Sequence, residues 1–146
     1  MRYKHTQIGY VTGGVTLAAL LLIYYAFMAE DGELGAFGIV MLGAFGVLAV
    51  LFSSLTVTVT DRELLFYFGP GFWTRRFPLD DISSVDVVRN SPLYGWGIRY
   101  THHGWLYNVS GLDAVEVTVR GQEQLRIGTD EPEALKRALE KACTAT

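Results

Sequence analysis

The chain has 146 residues, 50% of them hydrophobic and 18% charged, with a formal net charge of -3 and a mean hydropathy of +0.24. That balance excludes a disordered or nucleic-acid-wrapping chain, and it is too apolar for an ordinary soluble domain of this size, so part of the chain is expected to lie in a membrane. One cysteine, Cys143, excludes an internal disulfide framework and a thiolate metal cluster.

Charge divides the chain in two. No Asp, Glu, Lys or Arg lies between His5 and Glu30 or between Glu33 and Asp61, and 22 of the 27 such residues follow from Asp61 onward. Residues 8–28 are therefore predicted as a first membrane span, since a helix rising about 1.5 Å per residue needs roughly 20 apolar residues to cross the hydrocarbon core. Residues 35–55, rich in Gly, Ala, Val, Leu and Phe, are predicted as a second span. The short connection between them predicts an antiparallel hairpin. Neither span carries an ionisable side chain, so the pair is expected to be an anchor rather than a transport path. Small residues at helical spacing, Gly9 and Gly13 on the first span and Gly43 and Gly46 on the second, are candidates for close helix packing, within the hairpin or between copies.

Orientation is read from the basic residues. Arg2 and Lys4 precede the first span and Arg62 and Arg75 follow the second, whereas the turn carries Glu30, Asp31 and Glu33. The expectation is a multi-pass protein of the inner (cytoplasmic) membrane with both termini cytoplasmic. The rival reading, a cleaved signal peptide, is disfavoured by the length of the apolar stretch and the lack of an A-x-A type of site.

From Thr56 the period switches to two. Thr56, Val57, Thr58, Val59 and Thr60 alternate as in a half-buried strand, and residues 64–68, 72–77, 82–88, 98–101, 105–109, 114–119 and 124–127 read as further short strands separated by Gly, Asn, Asp and Pro. Val115, Val117 and Val119 face one way, and Glu116, Thr118 and Arg120 the other. Asp130 with Glu133 predicts a capping-box entry to a last helix, on which Leu135, Ala138, Leu139 and Ala142 share an apolar face. Residues 1–55 are thus expected as the anchor and 56–146 as an α+β domain, an antiparallel bent sheet or partly open barrel capped by the C-terminal helix.

The order of strands and helix, the stretch Phe77, Pro78, Leu79, Asp80, Asp81, Ile82 leading into Val85, and Ile127, Gly128, Thr129, Asp130, Glu131, Pro132 entering the helix resemble the bacterial pleckstrin-homology-like (PH-like) domains. So does Tyr94, Gly95, Trp96, Gly97, Ile98, Arg99 followed by Gly104 to Gly111. Small membrane proteins of that family place one such domain directly after a two-helix anchor, and the resemblance implies a binding scaffold. The phosphoinositide recognition known in the eukaryotic relatives uses several Lys and Arg around the first strand connection. The corresponding turn here, Thr60, Asp61, Arg62, Glu63, has one Arg between two acids, so phosphoinositide binding is not expected.

No residue pattern predicts catalysis, a cofactor or a metal. His102 and His103 beside Gly104 read as turn residues, and Asp80 and Asp81 as turn formers. Ser83, Ser84, Ser110 and Cys143 lack the context of an activated nucleophile. Two aromatic clusters with arginine stand out instead: Phe72, Trp73, Arg75 and Arg76 as a candidate membrane interface, and Trp96, Arg99, Trp105 and Tyr107 as a candidate partner-binding surface. The expected function is a membrane-anchored, non-catalytic module presenting a PH-like domain for protein interaction or self-association. The alternatives are lipid-interface binding by the domain and an accessory subunit of a membrane complex.

Overall fold

The computed structural model describes residues 2–30, 35–122 and 124–145. The flank before the expected first span is a strand, β1 (Tyr3–Ile8), which leads through Gly9 into helix α1 (Tyr10–Glu30), so the helix starts two residues later than the expected span of 8–28. Helix α2 (Ala36–Leu51) follows, and strand β2 (Ser54–Val59) returns to pair antiparallel with β1 from Tyr3↔Val59 to Ile8↔Ser54. The helical pair is thus an insertion between two neighbouring strands of one sheet. The start of α1 lies beside the end of α2, where Gly9 N donates to Ser53 O at 2.7 Å. The other ends meet through Phe27 and Phe37, whose rings are 6.4 Å apart, so the helices run antiparallel.

α1 is long and apolar enough to cross a membrane. α2 is apolar but has 16 residues rather than the 21 expected for 35–55, because sheet pairing claims the chain from Ser54 and Phe52 already leaves helical geometry. The expected second span is corrected to that shorter helix. The expected turn around Asp31 and Glu33 lies outside the described residues.

Strands β3 (Glu63–Phe68) and β4 (Trp73–Pro78) continue the first sheet, giving the order β1-β2-β3-β4. Pro78, with no N–H to donate, and a 3-10 turn at Leu79–Asp81 then redirect the chain. The remaining strands, β5 (Ile82–Arg89), β6 (Gly97–Thr101), β7 (Gly104–Asn108), β8 (Asp113–Val119) and β9 (Leu125–Gly128), form a second sheet in the order β5-β8-β9-β7-β6, in which β7 and β9 are parallel. The expected bent sheet or partly open barrel is therefore corrected to two separate sheets, one of them mixed. No strand pairing closes them into a barrel among the described residues.

One core lies between the sheets. Leu64, Phe66 and Phe68 of β3 meet Val115 and Val117 of β8, Ile127 of β9 and Tyr107 of β7, all buried. The inward face of β8 is the one its alternation predicts. Helix α3 (Pro132–Thr144) adds Leu135, Leu139 and Ala142 to the same core and touches both sheets, through β2 on one side and β5 and β8 on the other. Its predicted capping box does not form. No side chain caps its start; the Asp130 carboxylate instead meets His5 Nε2 at 2.5 Å, tying the loop before α3 to β1.

Candidate functional site

The helices are seated on the domain by close backbone contacts. A Cβ at Gly9 would come within 2.7 Å of Phe52 O and collide with Thr12 Oγ1, and one at Gly69 would come within 2.6 Å of Leu51 O. Thr12 Oγ1 donates to Phe52 O at 3.0 Å, and Thr12 N to Val109 O at 3.4 Å. Phe52 itself bridges helix and sheet, with its ring 5.4 Å from both Phe68 and Phe72. The other candidate packing residues are placed differently: a Cβ at Gly13, Gly43 or Gly46 would meet nothing within 4 Å. The close approach belongs to Gly9, at the crossing from strand to helix, and not to a seam along the helices.

The two predicted aromatic clusters are regrouped. Phe72 and Trp73, 43% and 40% exposed, stand at the β3–β4 turn, where the Phe72 ring meets Phe52 at the end of α2. Arg75 follows two residues along β4, on the face it shares with Trp73 and Phe77. It lies over the Phe77 ring at 5.5 Å and lines a cleft with Trp105, Tyr107, Gln122 and Leu125. Arg76 is exposed on the opposite face of β4, as alternation requires.

Trp105 and Tyr107 share one face of β7, with rings 6.4 Å apart and nearly parallel. Their fates differ. Tyr107 is buried against Phe66, its ring 4.9 Å away, and burial pushes its phenol above the ordinary range, with Arg75 opposing. Trp105 is 42% exposed and meets Tyr100 of β6 edge-to-face at 5.3 Å. Tyr100 is 62% exposed, and β6 is the outer strand of its sheet. This exposed pair is the most prominent aromatic surface on the sheets, and the sequence reading missed Tyr100 because its partner is set by the β6–β7 register, Tyr100↔Trp105.

Trp96 lies just before β6, and Arg99 at the middle of β6 opposite Leu106. Trp96 Nε1 donates to Gly111 O at 2.9 Å, and Arg99 Nε donates to Trp96 O at 3.2 Å. Both line a groove of about 450 Å³ whose opposite wall is made by Val11, Val15, Leu48 and Phe52. The apolar wall residues carried no separate signal, since every residue around them in the spans is also apolar.

Other titratable groups serve the fold. Burial, then the neighbouring Glu131 carboxylate, pushes the Tyr3 phenol well above its usual range. Arg2, by hydrogen bond and charge, holds the exposed Asp61 carboxyl below the usual range. His102 and His103 occupy the β6–β7 turn as predicted, their ring centroids 3.9 Å apart, and Tyr94 Oη lies within 3.2 Å of His102 Nδ1. Cys143 Sγ lies 3.9 Å from Leu79 O, and burial, then Asp80, raises its thiol. No protein-family model matches the chain, and no curated protein matches it.

Proposed function

We propose that the chain is a membrane-anchored, non-catalytic binding module that holds a PH-like domain at the cytoplasmic face of the inner membrane and engages a protein partner or a second copy of itself. The anchor reading is supported by α1, whose Leu21, Leu22 and Tyr25 are exposed together with Phe37 and Val40 of α2, an apolar surface far larger than a soluble domain leaves open. Pairing of β1 with β2 supplies the rest. If α1 crosses the bilayer, the chain must return before β2, so α2, with roughly 24 Å of helix, crosses back. Arg2 and Lys4 before α1, with Arg62 and Arg75 beyond β2, orient the domain inward.

The observation that carries the binding reading is the exposed aromatic pair at the edge of the second sheet, Tyr100 on the outer strand β6 and Trp105 beside it on β7. Aromatic anchors beside a strand edge suit recognition of an extended segment, the edge offering backbone hydrogen bonds and the rings specificity. Affinity capture of the full chain from native membranes, against a Tyr100→Ala, Trp105→Ala variant with an unchanged melting temperature, tests it. Loss of specific partners supports the reading, and identical partner sets refute it.

A second reading has its own support. Phe72 and Trp73 project beside the end of α2, where an indole partitions to headgroup level, so the β3–β4 turn would dip into the interface. Trp73 fluorescence in the reconstituted full chain would then be quenched by lipids brominated near the headgroup; absence of quenching would refute it.

A further inference from the structure

We infer that the groove between the helical pair and the second sheet is a binding site for one anionic phospholipid of the adjoining leaflet. The inference rests on the reading of α1 as a membrane span, and it concerns a different surface from Phe72 and Trp73. The groove is amphipathic along its length. Val11, Val15 and Leu48 form an apolar wall, and Val15 lies about 7 Å along α1 from its first residue, so that wall extends into the hydrocarbon. Trp96 and Arg99 close the end nearest the sheet. A chain entering from the bilayer would therefore lie along α1 with its headgroup at Arg99.

The polar end is prepared for a phosphate. Trp96 Nε1 is held by Gly111 O, which fixes the indole at the boundary. Arg99 Nε is held by Trp96 O, which fixes the guanidinium and leaves its two terminal nitrogens for a bidentate contact of the kind phosphates favour. Arg2, Arg89 and Arg126 each pair with a carboxylate, but no such pair involves Arg99 among the described residues. Glycines at 95 and 97 leave Trp96 without neighbouring side chains, and a Cβ at Gly95 would sit 3.7 Å from Arg99 Nη2. No acidic residue lines the groove, so it offers no counter-charge to the ammonium of a zwitterionic headgroup. That asymmetry selects an anionic lipid. A volume of about 450 Å³ falls within the usual range for ligand sites and accommodates a headgroup phosphate with the first part of one acyl chain.

The test uses the full chain in nanodiscs, with Trp73 and Trp105 replaced by Phe so that Trp96 alone reports. A small fraction of acyl-brominated phosphatidylglycerol or phosphatidylcholine is titrated into an otherwise unbrominated zwitterionic bilayer. The expected result is quenching of Trp96 at about fivefold lower fraction of the anionic lipid, a preference abolished by Arg99→Gln and reduced by the groove-filling Val15→Phe, both variants keeping the parent melting temperature. Extraction of the chain from native membranes by alkaline carbonate would overturn the membrane reading and the lipid site with it. Retention in the membrane with equal quenching by both lipids, or a preference unchanged in Arg99→Gln, would overturn the lipid site alone.

Discussion

Replacing Arg126 by Met should destabilise the domain more than removing the whole ion pair to which it belongs. Arg126 on β9 stands directly opposite Glu116 on β8, with Nε 2.7 Å from Oε2 and the two side chains 10% and 17% exposed. Its Nη1 also donates to Asn90 Oδ1 at 3.1 Å, and Asn90 is itself buried. Met keeps the volume but leaves a largely desolvated carboxylate and an amide oxygen without their donor. Breaking a fully buried pair costs about 3–5 kcal/mol; residual solvent access lowers that to about 2–3 kcal/mol here. At about 4–8 °C per kcal/mol for a domain of this size, the melting temperature should fall by roughly 10–20 °C. Arg126→Met combined with Glu116→Leu removes the stranded charge and should recover most of the loss. The assay is thermal unfolding of the full chain in detergent, followed by the near-ultraviolet signal of the sheet aromatics. A second readout is independent of stability. Desolvation and then Arg126 hold His103 below the usual histidine range, so the single variant should raise the titration midpoint of His103 in a proton-resonance experiment. A double variant as unstable as the single one, or a single variant within 2 °C of the parent, would refute the reasoning.

Gly9→Ala should destabilise the full chain, since its Cβ would lie 2.7 Å from Phe52 O, whereas Gly13→Ala and Gly43→Ala, which meet open space, should be neutral or stabilising by up to about 1 kcal/mol; equal effects in thermal melts would contradict the junction described. Alkylation of Cys143 should be slower than that of a free thiol at pH 7.5 and accelerate only at higher pH, because burial and then Asp80 raise its pKa, and Asp80→Asn should restore part of the rate. Topology is better read from Cys143→Ala proteins carrying one new cysteine: an impermeant maleimide offered to intact cells should label Gly32→Cys and spare Arg120→Cys, and the reverse pattern would place the domain outside. Arg2→Ala should let the Asp61 carboxyl titrate at a higher pH. The paired carboxylate contributes stability above the usual carboxylate range and loses it as pH falls through its lowered value, so the difference between parent and variant melts should vanish in acid.

Periodicity made much of the architecture legible in advance. The apolar run of α1, the two-residue alternation of β8, and the apolar face Leu135, Leu139 and Ala142 of α3 are local patterns, each readable because side chains repeat at a fixed interval along one element; β2 is extended as its alternation predicts, but Thr56 and Thr58 are buried together with Val57 and Val59 rather than half-exposed. β1 was not legible in the same way: its inward residues are Tyr3, His5 and Gln7, polar or amphipathic side chains that give no hydrophobic alternation. What makes it a strand is β2, which reaches it only after the intervening helices.

The regrouping of the candidate residues has the same origin. Arg75 shares a face of β4 with Trp73 and Phe77, and its place in the cleft beside Trp105 depends on the second sheet, which sequence proximity to Trp73 does not show. Asp130 had the spacing of a helix cap, but His5 outcompeted the helix for its carboxylate. By itself the sequence determined where the chain is apolar, which segments beyond residue 55 are extended and which faces of β8 and α3 are buried, since those properties repeat within a few residues. The mixed strand order, the use of β1 as an edge, and the meeting of Arg99 with Val11 and Leu48 were decided by tertiary structure alone, because pairings between distant segments leave no periodic trace in either of them.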